Sequence, residues 1–310
     1  MKTVIVGAGA LGSLFAYFLA RSNKPVAILD KYPHEAEIIN KNGLKVEGIS
    51  GEHQLRVKAS AEPGDLGEPD LVLVCVKSAD TASAAQATLP ILKPDTVVLT
   101  VQNGLGNVER IAEVVGVERA MGGTTAVGAT LLAPGHIRHA GDGETIIGET
   151  SGEITNRAKA IRDHLESCGL KASITDNLES LVWSKLVINV GINALTALTR
   201  MKNGELVNYE GARTVLAAAV EEAVHVVKEK GIRLLYDNPV DKVESVCRAT
   251  AGNISSMLQD VIRQRRTEVA YINGAIVREA KRLGLTAPIN ETLDRLVRTL
   301  EESYAKQIIK

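Results

Sequence analysis

Polar side chains recur at helical spacing within one of the most apolar stretches of this sequence. Residues 182–195 read VWSKLVINVGINAL, in which Lys185, Asn189 and Asn193 stand four positions apart and so share one stripe of a helix. Burying an ammonium group and two amides is costly unless they meet polar partners. We therefore expect this stripe to line a cleft that faces a bound cofactor. A structural polar network or an exposed helix face is the alternative interpretation.

A second group of polar residues lies further along the chain. Residues 253–260 read NISSMLQD, and a glutamate follows eight positions later. Helical periodicity runs over residues 256–283, and on one continuous helix that includes residue 253 these side chains fall within an arc of about 120°. The residues on this face are Asn253, Ser256, Asp260 and Glu268.

Two members of this group have simpler interpretations. Ser256 is a candidate helix N-cap, with Gln259 completing a capping box, which does not exclude a contact with substrate. Glu268 is placed to form an ion pair with Arg265 or Lys281.

A glycine-rich fingerprint opens the chain. Residues 4–12 read VIVGAGALG, which is G-x-G-x-x-G directly after a predicted strand and at the start of a predicted helix. In this context the glycines allow a tight turn, a close approach of a pyrophosphate and tight packing of the helix on the strand, while the helix N-terminus attracts the phosphates. We expect a nicotinamide dinucleotide to contact Gly7, Ala8, Gly9, Ala10, Leu11 and Gly12.

An acidic residue stands where the fingerprint expects one. Asp30 ends the second predicted strand, 18 residues after Gly12, and its carboxylate would accept hydrogen bonds from the adenine ribose. The same charge would repel a 2′-phosphate, which favours NADH, although Lys31 follows immediately and could offset this repulsion. A surface aspartate at a strand end is the alternative.

Two further polar residues follow predicted strands. Lys77 comes after the strand at 71–76, and Asn103 with Gly104 comes after the strand at 96–101. Ligands of doubly wound sheets lie beyond the carboxyl ends of the strands, so both residues are candidate ligand contacts. A solvated lysine and an Asn-Gly turn are the alternatives.

The order of predicted elements divides the chain into two domains. Strands and helices alternate up to about residue 176, which is typical of a doubly wound, mostly parallel sheet. Residues 124–147 contain short strand-like pieces that suggest an antiparallel edge. Beyond that point only helical patterns occur, at 178–200, 209–230, 239–250, 256–283 and 290–304. We expect a dinucleotide-binding Rossmann domain over residues 1–176 and a helical substrate and catalytic domain over residues 177–310.

The composition argues against several other classes of function. The net charge is −1 and aromatic residues make up 3% of the chain, so neither a basic surface nor base-stacking platforms for nucleic acid are expected. The longest apolar stretch is interrupted by Asn189 and Asn193, and we expect no membrane span. Three separated cysteines indicate free thiols in the cytoplasm. His136 and His139 lack a third ligand pattern, so we expect no metal site.

Taken together, these motifs resemble those of the ketopantoate reductase (2-dehydropantoate 2-reductase) family along essentially the whole chain. The similarity rests on VGAGALGS at residues 6–13, Lys77, Gln102-Asn103-Gly104, WSKLVINVGINALTAL at 183–198, KNGEL at 202–206, and NISSMLQD followed by TEVAYINGAIV at 267–277. The resemblance implies reduction of ketopantoate to pantoate, a step toward pantothenate and coenzyme A, usually with NADPH.

The resemblance also assigns roles to individual residues. Lys185 corresponds to the family's catalytic lysine, which donates a proton to the substrate oxygen. Members that use NADPH tend to carry a basic residue where this chain has Asp30. The substrate contacts implied are Asn103, Asn189, Asn193, Asn203 and Ser256, and the cofactor contacts implied are Lys77, Asn103, Gly128 and Glu268.

Two other functions remain open from the sequence. One is reduction of another 2-oxo acid or of an opine-type imine by the same groups. The other is a redox sensor that binds NAD(P)H without turnover, for which a lysine at position 185 has no purpose. The long C-terminal helices could support a homodimer.

Overall fold

The computed structural model describes residues 1–307 of the 310-residue chain. The chain forms two compact units. The first contains residues 1–102 and 106–178, and the second contains residues 103–105 together with the chain from Glu179 onward.

Twelve strands lie in the first unit and form two sheets within the described residues. The eight-stranded sheet has the order β12-β11-β8-β7-β6-β1-β2-β5, and the four-stranded sheet has the order β4-β3-β10-β9. The strands are β1 Thr3–Val6, β2 Val26–Leu29, β3 Leu44–Gly48, β4 His53–Leu55, β5 Lys58–Ser60, β6 Leu71–Val74, β7 Val97–Thr100, β8 Ala120–Thr125, β9 Gly128–Ala133, β10 His136–Gly141, β11 Thr145–Glu149 and β12 Ala172–Ile174.

The larger sheet is doubly wound and mostly parallel, as predicted from the sequence. All of its neighbouring strands pair in parallel except β8 and β11. Strands β1, β6 and β7 are buried along their whole length, which explains their continuous apolar sequences. The helices of this unit are α1 Ala10–Arg21, α2 Pro33–Asn42, α3 Thr81–Thr88, α4 Asn107–Val115 and α5 Asn156–Glu166.

The smaller sheet differs from the sequence-based expectation. Residues 124–147 do not form one antiparallel edge, because β9 and β10 pair with each other outside the larger sheet. Strand β10 also pairs with β3, a strand that the sequence did not predict. Helix α1 packs against this smaller sheet, where the rings of Phe18 and His139 meet edge to face with centroids 5.5 Å apart. Partner choice between short strands depends on such distant contacts, which no local pattern reveals.

The second unit consists of helices and short turns within the described residues. Its helices are α6 Leu178–Thr199, α7 Glu210–Glu229, α8 Pro239–Ala249, α9 Ser256–Ile262, α10 Asn273–Arg282 and α11 Pro288–Glu302. Helix α6 forms much of the core, and fourteen of its residues are buried. By length and composition α6 could cross a membrane, contrary to the expectation that no stretch could do so. Because 72% of its most apolar window is buried inside the protein, we interpret it as a core helix.

The continuous helix expected over residues 256–283 is wrong. Helix α9 ends at Ile262, and the chain then passes through a turn in which Gln264 has a left-handed backbone with φ of 52°. The N–H groups of Gln264 and Arg265 donate to the carbonyl groups of Val261 and Asp260 at 3.0 and 2.9 Å. These two bonds form the Schellman motif that ends many helices. Glycine is the usual residue at the left-handed position of this motif. Because this chain has Gln264 there, the sequence pattern does not predict the end of the helix.

Candidate functional site

The fingerprint loop has the geometry that a dinucleotide requires. Gly7 has a φ of 105°, a conformation that favours glycine. A Cβ on Gly12 would lie 2.0 Å from the Gly7 carbonyl oxygen, whereas a Cβ on Gly9 would meet nothing within 4 Å. Helix α1 begins at Ala10 directly after this loop, and the N–H groups of its first turn have no partners inside the helix. The loop therefore leaves open backbone beside a positive helix end, which fits a pyrophosphate.

Asp30 does more in the structure than the sequence suggested. Its carboxylate is 9% exposed and accepts hydrogen bonds from the N–H groups of Ala8 at 2.6 Å and Tyr32 at 3.0 Å. It therefore fixes the fingerprint loop and keeps lone pairs for a ribose. The neighbouring Lys31 turns to Asp80, with the ammonium nitrogen 2.9 Å from a carboxylate oxygen, and this hydrogen bond raises the pKa of Lys31.

A buried polar network supports the loop that carries Lys77. Lys77 itself is exposed and follows β6. Beneath it, the Gln102 side-chain amide donates to the Val76 carbonyl at 2.6 Å and to the Thr81 hydroxyl at 3.0 Å. That hydroxyl in turn donates to the Asn107 side chain at 3.0 Å. The sequence analysis assigned no role to Thr81 or Asn107. The signal that could have indicated this network is Gln102, a polar residue directly after a predicted strand.

Gly128 does not lie beside the fingerprint in the larger sheet. It opens β9 of the smaller sheet and pairs with Gly141. A Cβ at this position would come within 3.0 Å of the Gly141 backbone nitrogen, so strand packing alone accounts for the glycine. Its role as a cofactor contact stays a prediction.

The two histidines singled out in the sequence lie in the same sheet. His136 contacts Glu47 at 3.1 Å and His139 contacts Ser50 at 2.6 Å.

The polar stripe of the sequence lies on α6 in the second unit. Lys185 and Asn189 are partly exposed, whereas Asn193 is 5% exposed. Although the Lys185 side chain retains some contact with solvent, burial lowers the pKa of its ammonium group from 10.5 to about 8. The negative charge of Glu268 acts in the opposite direction and raises this pKa. A lysine in this range can hold a proton at neutral pH and release it to a developing alkoxide.

Two side-chain amides that were predicted to bind substrate contain buried atoms without a partner. Among residues 1–307, the Asn189 Nδ2 and the Asn203 Oδ1 are enclosed and form no hydrogen bond. The rest of Asn203 is well anchored, since its Nδ2 donates to the Thr250 hydroxyl and its backbone N–H to the Asn253 carbonyl, both at 3.0 Å. Such unpaired buried groups are costly unless a bound molecule supplies the missing hydrogen bonds.

Ser256 is not the N-cap of its helix. The cap is Ser255, whose hydroxyl accepts a hydrogen bond from the Leu258 N–H at 3.1 Å and lies 2.7 Å from the Thr196 hydroxyl. Ser256 is the first residue of α9 and is exposed. The capping role considered from the sequence therefore belongs to its neighbour, and Ser256 is available for a ligand.

Asn103 and Glu268 belong to adjacent segments of the second unit. The Leu105 N–H donates to the Tyr271 carbonyl at 3.0 Å, and Tyr271 ends the short 3₁₀ turn that directly follows Glu268. Gly104 has a φ of 85°, and a Cβ on it would lie 2.6 Å from that same carbonyl oxygen. The glycine after Asn103 is therefore needed for this close approach, as well as for the turn.

Sequence reasoning missed one set of contacts next to Lys185. The hydroxyl of Ser184 accepts a hydrogen bond from the Leu235 N–H at 2.9 Å, and the Ser184 carbonyl accepts one from the Tyr236 hydroxyl at 2.7 Å. Both donors lie about fifty residues away in the α7–α8 connection. No local pattern marks such pairs, although they fix the backbone immediately before the lysine.

A dinucleotide fingerprint on a doubly wound sheet, with a lysine of lowered pKa in a helical unit, is typical of an NAD(P)H-dependent oxidoreductase. The family model described as "Ketopantoate reductase PanE/ApbA" matches residues 3–152, and its C-terminal counterpart matches residues 177–301. The chain belongs to this family. The fold and the family expected from the sequence are confirmed.

Individual relatives agree with this assignment. The chain is 38% identical to the 2-dehydropantoate 2-reductase of Halobacterium salinarum over 299 residues, which cover 96% of this chain and 98% of that protein. The crystal structure of a PanE/ApbA family ketopantoate reductase from Ralstonia eutropha is similar with a TM-score of 0.90 at 33% identity, covering 98% and 99% of the two chains. A D-mandelate dehydrogenase complex with NADH and anilino(oxo)acetate has a TM-score of 0.91 at 29% identity, with the same coverage.

Proposed function

We propose that this protein reduces ketopantoate to pantoate by hydride transfer from NAD(P)H, a step toward pantothenate and coenzyme A. The observation that carries the proposal is Lys185, whose pKa burial lowers to about 8 on the same helical stripe as an amide without a partner. The family's full-length match supports the identity of the substrate.

In the proposed reaction the cofactor supplies the hydride and Lys185 supplies the proton. The reduced nicotinamide, when bound, supplies the hydride that goes to C2 of the substrate. Lys185 stabilises the negative charge that develops on the C2 oxygen and donates a proton to that oxygen. Because its pKa is about 8, the lysine is mostly protonated at pH 7 and yet acidic enough to transfer its proton.

The polar groups of the second unit orient the substrate. The Asn189 Nδ2 donates a hydrogen bond to a substrate oxygen, and the Asn203 Oδ1 accepts one from a substrate hydroxyl. Each atom is buried without a partner in the described chain, so substrate binding removes an existing cost. Asn103, Asn193 and the exposed Ser256 complete the proposed contacts, and together they hold the carbonyl in a geometry close to the transition state.

We propose that NADH serves at least as well as NADPH. Asp30 carries its negative charge directly after β2, where it would face a 2′-phosphate, and the charge of Lys31 is already engaged by Asp80 at 2.9 Å. The remaining proposed cofactor contacts are Gly7, Ala8, Gly9, Ala10, Leu11, Gly12, Lys77, Asn103, Gly128 and Glu268.

A second candidate substrate class is a bulkier 2-oxo acid. The similar D-mandelate dehydrogenase structure contains anilino(oxo)acetate, an aromatic molecule with the same 2-oxo carboxylate unit. The machinery proposed here recognises that unit, so the side chain of the substrate decides between the candidates. A redox sensor without turnover is disfavoured, because it gives no reason to bury a lysine at position 185.

Consumption of NADH or NADPH tests the proposed function. We would follow the absorbance of the reduced nicotinamide with ketopantoate, pyruvate and 2-oxo-2-phenylacetate as separate substrates. The proposal expects the highest kcat/KM for ketopantoate. A higher kcat/KM for the phenyl compound would favour the second candidate, and cofactor binding without any turnover would favour the sensor.

We also propose a cytoplasmic location, which the three unpaired cysteines Cys75, Cys168 and Cys247 support. A homodimer through the C-terminal helices is a further proposal, to be tested by sedimentation.

A further inference from the structure

The segment that carries Glu268 forms hydrogen bonds to residues in and after helix α11. Glu268 is 7% exposed and lies between α9 and α10, outside any helix. The residue before it, Thr267, donates its backbone N–H to the Glu301 carboxylate at 2.8 Å and its hydroxyl to the same Oε1 atom at 2.5 Å. The Tyr304 hydroxyl donates to the Arg265 carbonyl at 3.0 Å.

These contacts restrain the backbone on both sides of Glu268. The Thr267 hydroxyl, while donating to Glu301, also accepts a hydrogen bond from the Val269 N–H at 3.1 Å. Hydrogen bonds to a carboxylate are stronger than those between neutral groups. Because the preceding turn contains Gln264 in a left-handed conformation, residues 264–267 do not continue helix α9, and the contacts with Glu301 and Tyr304 take the place of its regular hydrogen bonds.

We propose that Glu301 and Tyr304, which we name the C-terminal clamp, are positioning residues that hold Glu268 in place for the cofactor. The inference rests on the proposed function, in which Glu268 contacts NAD(P)H. Neither clamp residue touches the substrate or the cofactor in this proposal, since both act through the backbone of residues 265–269.

The charges around the clamp keep Tyr304 a hydrogen-bond donor at assay pH. Burial together with the negative charges of Glu301 and Asp260 raises the pKa of Tyr304 to about 12, and the positive charge of Arg200 opposes this. The hydroxyl is therefore protonated throughout the range in which Lys185, with a pKa of about 8, changes its charge.

A matched pair of substitutions tests the clamp. Glu301→Ala removes the acceptor of both Thr267 bonds, whereas Glu302→Ala removes the same charge from the adjacent, exposed residue of α11. Glu301→Gln serves as the conservative variant, because its amide oxygen still accepts from Thr267. We would measure NADH binding by fluorescence titration, hydrogen exchange of residues 263–269, and kcat as a function of pH with ketopantoate.

The clamp predicts a specific pattern. NADH binding weakens about three- to tenfold in Glu301→Ala, the range expected for loss of about one ordinary hydrogen bond, while exchange at Thr267 accelerates. The alkaline limb of kcat moves to lower pH, since Glu268 raises the pKa of Lys185 and a displaced Glu268 does so less. Glu301→Gln and Glu302→Ala stay close to the parent protein in all three measurements.

Other results would overturn the clamp. If Glu301→Ala lowers the melting temperature but binds NADH and titrates like Glu302→Ala, the contact only stabilises the fold. Should Glu301→Ala not fold, Thr267→Val and Thr267→Ser replace it, because valine removes the hydroxyl and serine keeps it. Equal NADH binding by these two variants contradicts the clamp, and weaker binding by the valine variant alone supports it. Failure of the parent protein to reduce ketopantoate would refute the proposed function, while the binding and exchange results would still decide on the clamp.

Discussion

Replacing Lys185 should remove activity and stabilise the protein at the same time. Burial lowers the pKa of the lysine from 10.5 to about 8, so the folded protein disfavours the charged form that predominates at pH 7. Each pKa unit corresponds to 1.36 kcal/mol, and the charged lysine therefore costs the folded state about 3 kcal/mol as an order of magnitude. Lys185→Met keeps an unbranched side chain one atom shorter than lysine and removes this cost.

Because the pKa of Lys185 is lowered rather than raised, the gain in stability on its replacement depends on pH in a specific way. Because the pKa is lowered on folding, the cost is fully present below pH 8 and disappears as the pH rises to 10.5. We expect the Lys185→Met protein to have a higher free energy of unfolding in urea at pH 7, with a gain that shrinks between pH 8 and 10.5. A lysine that stabilised the fold through a buried network would give the opposite sign.

The loss of activity is measured separately in the same variants. Lys185→Ala and Lys185→Met should lower kcat by about 10²–10⁴-fold, the range for loss of a positioned general acid, and the alkaline limb of the pH profile should vanish. Lys185→Arg should not restore activity, because a guanidinium stays protonated and differs in shape. A variant that binds NADH and still retains more than about a tenth of the parental kcat would refute the general-acid role.

Three further predictions concern other residues of the site. The kcat/KM for NADH should equal or exceed that for NADPH because of Asp30, and a tenfold preference for NADPH, about 1.4 kcal/mol, would contradict this. Ser256→Ala should raise the KM for ketopantoate with an unchanged melting temperature, whereas Ser255→Ala should cost about 1 kcal/mol of stability by removing the helix cap. The reverse pattern in calorimetry and kinetics would return Ser256 to a structural role. Glu268→Gln should move the alkaline limb of kcat to lower pH, because Glu268 raises the pKa of Lys185, and an unmoved limb in the pH profile would show that the two charges are not coupled.

Features governed by neighbouring residues could be predicted from the sequence. The fingerprint at Gly7 to Gly12 follows from the backbone needs of one turn, and the structure has that turn. The stripe of Lys185, Asn189 and Asn193 follows from helical spacing alone, and α6 spans it. In both cases the physical cause acts over a few residues, so a short pattern contains the information.

Features governed by distant residues could not be predicted. The sequence left Ser256 as a candidate helix cap, but the structure places the cap at Ser255, whose hydroxyl lies 2.7 Å from that of Thr196 on another helix. The break after α9 likewise depends on Gln264 adopting a left-handed conformation. Contacts with distant residues, such as the hydrogen bond from Tyr304 to the Arg265 carbonyl, stabilise the chain at this break. Strands β3 and β4 form because β10 is available as a partner.

Helix α6 combines firmly held backbone with polar groups that support the proposed site. On one side the helix is firmly held, since Ser184 accepts hydrogen bonds from Leu235 and Tyr236 and the Lys230 ammonium lies 5.7 Å from the centre of the Trp183 ring. Lys185 directly follows Ser184, and burial disfavours its charged form. Asn189 lies one turn further along the helix, and its Nδ2 has no hydrogen-bond partner. The unpaired Asn189 donor contributes nothing to the stability of a helix that is already fixed in this way. In the proposed function a bound substrate satisfies the Asn189 donor, and the attachment at Ser184 fixes the backbone that presents Lys185 and Asn189 to it.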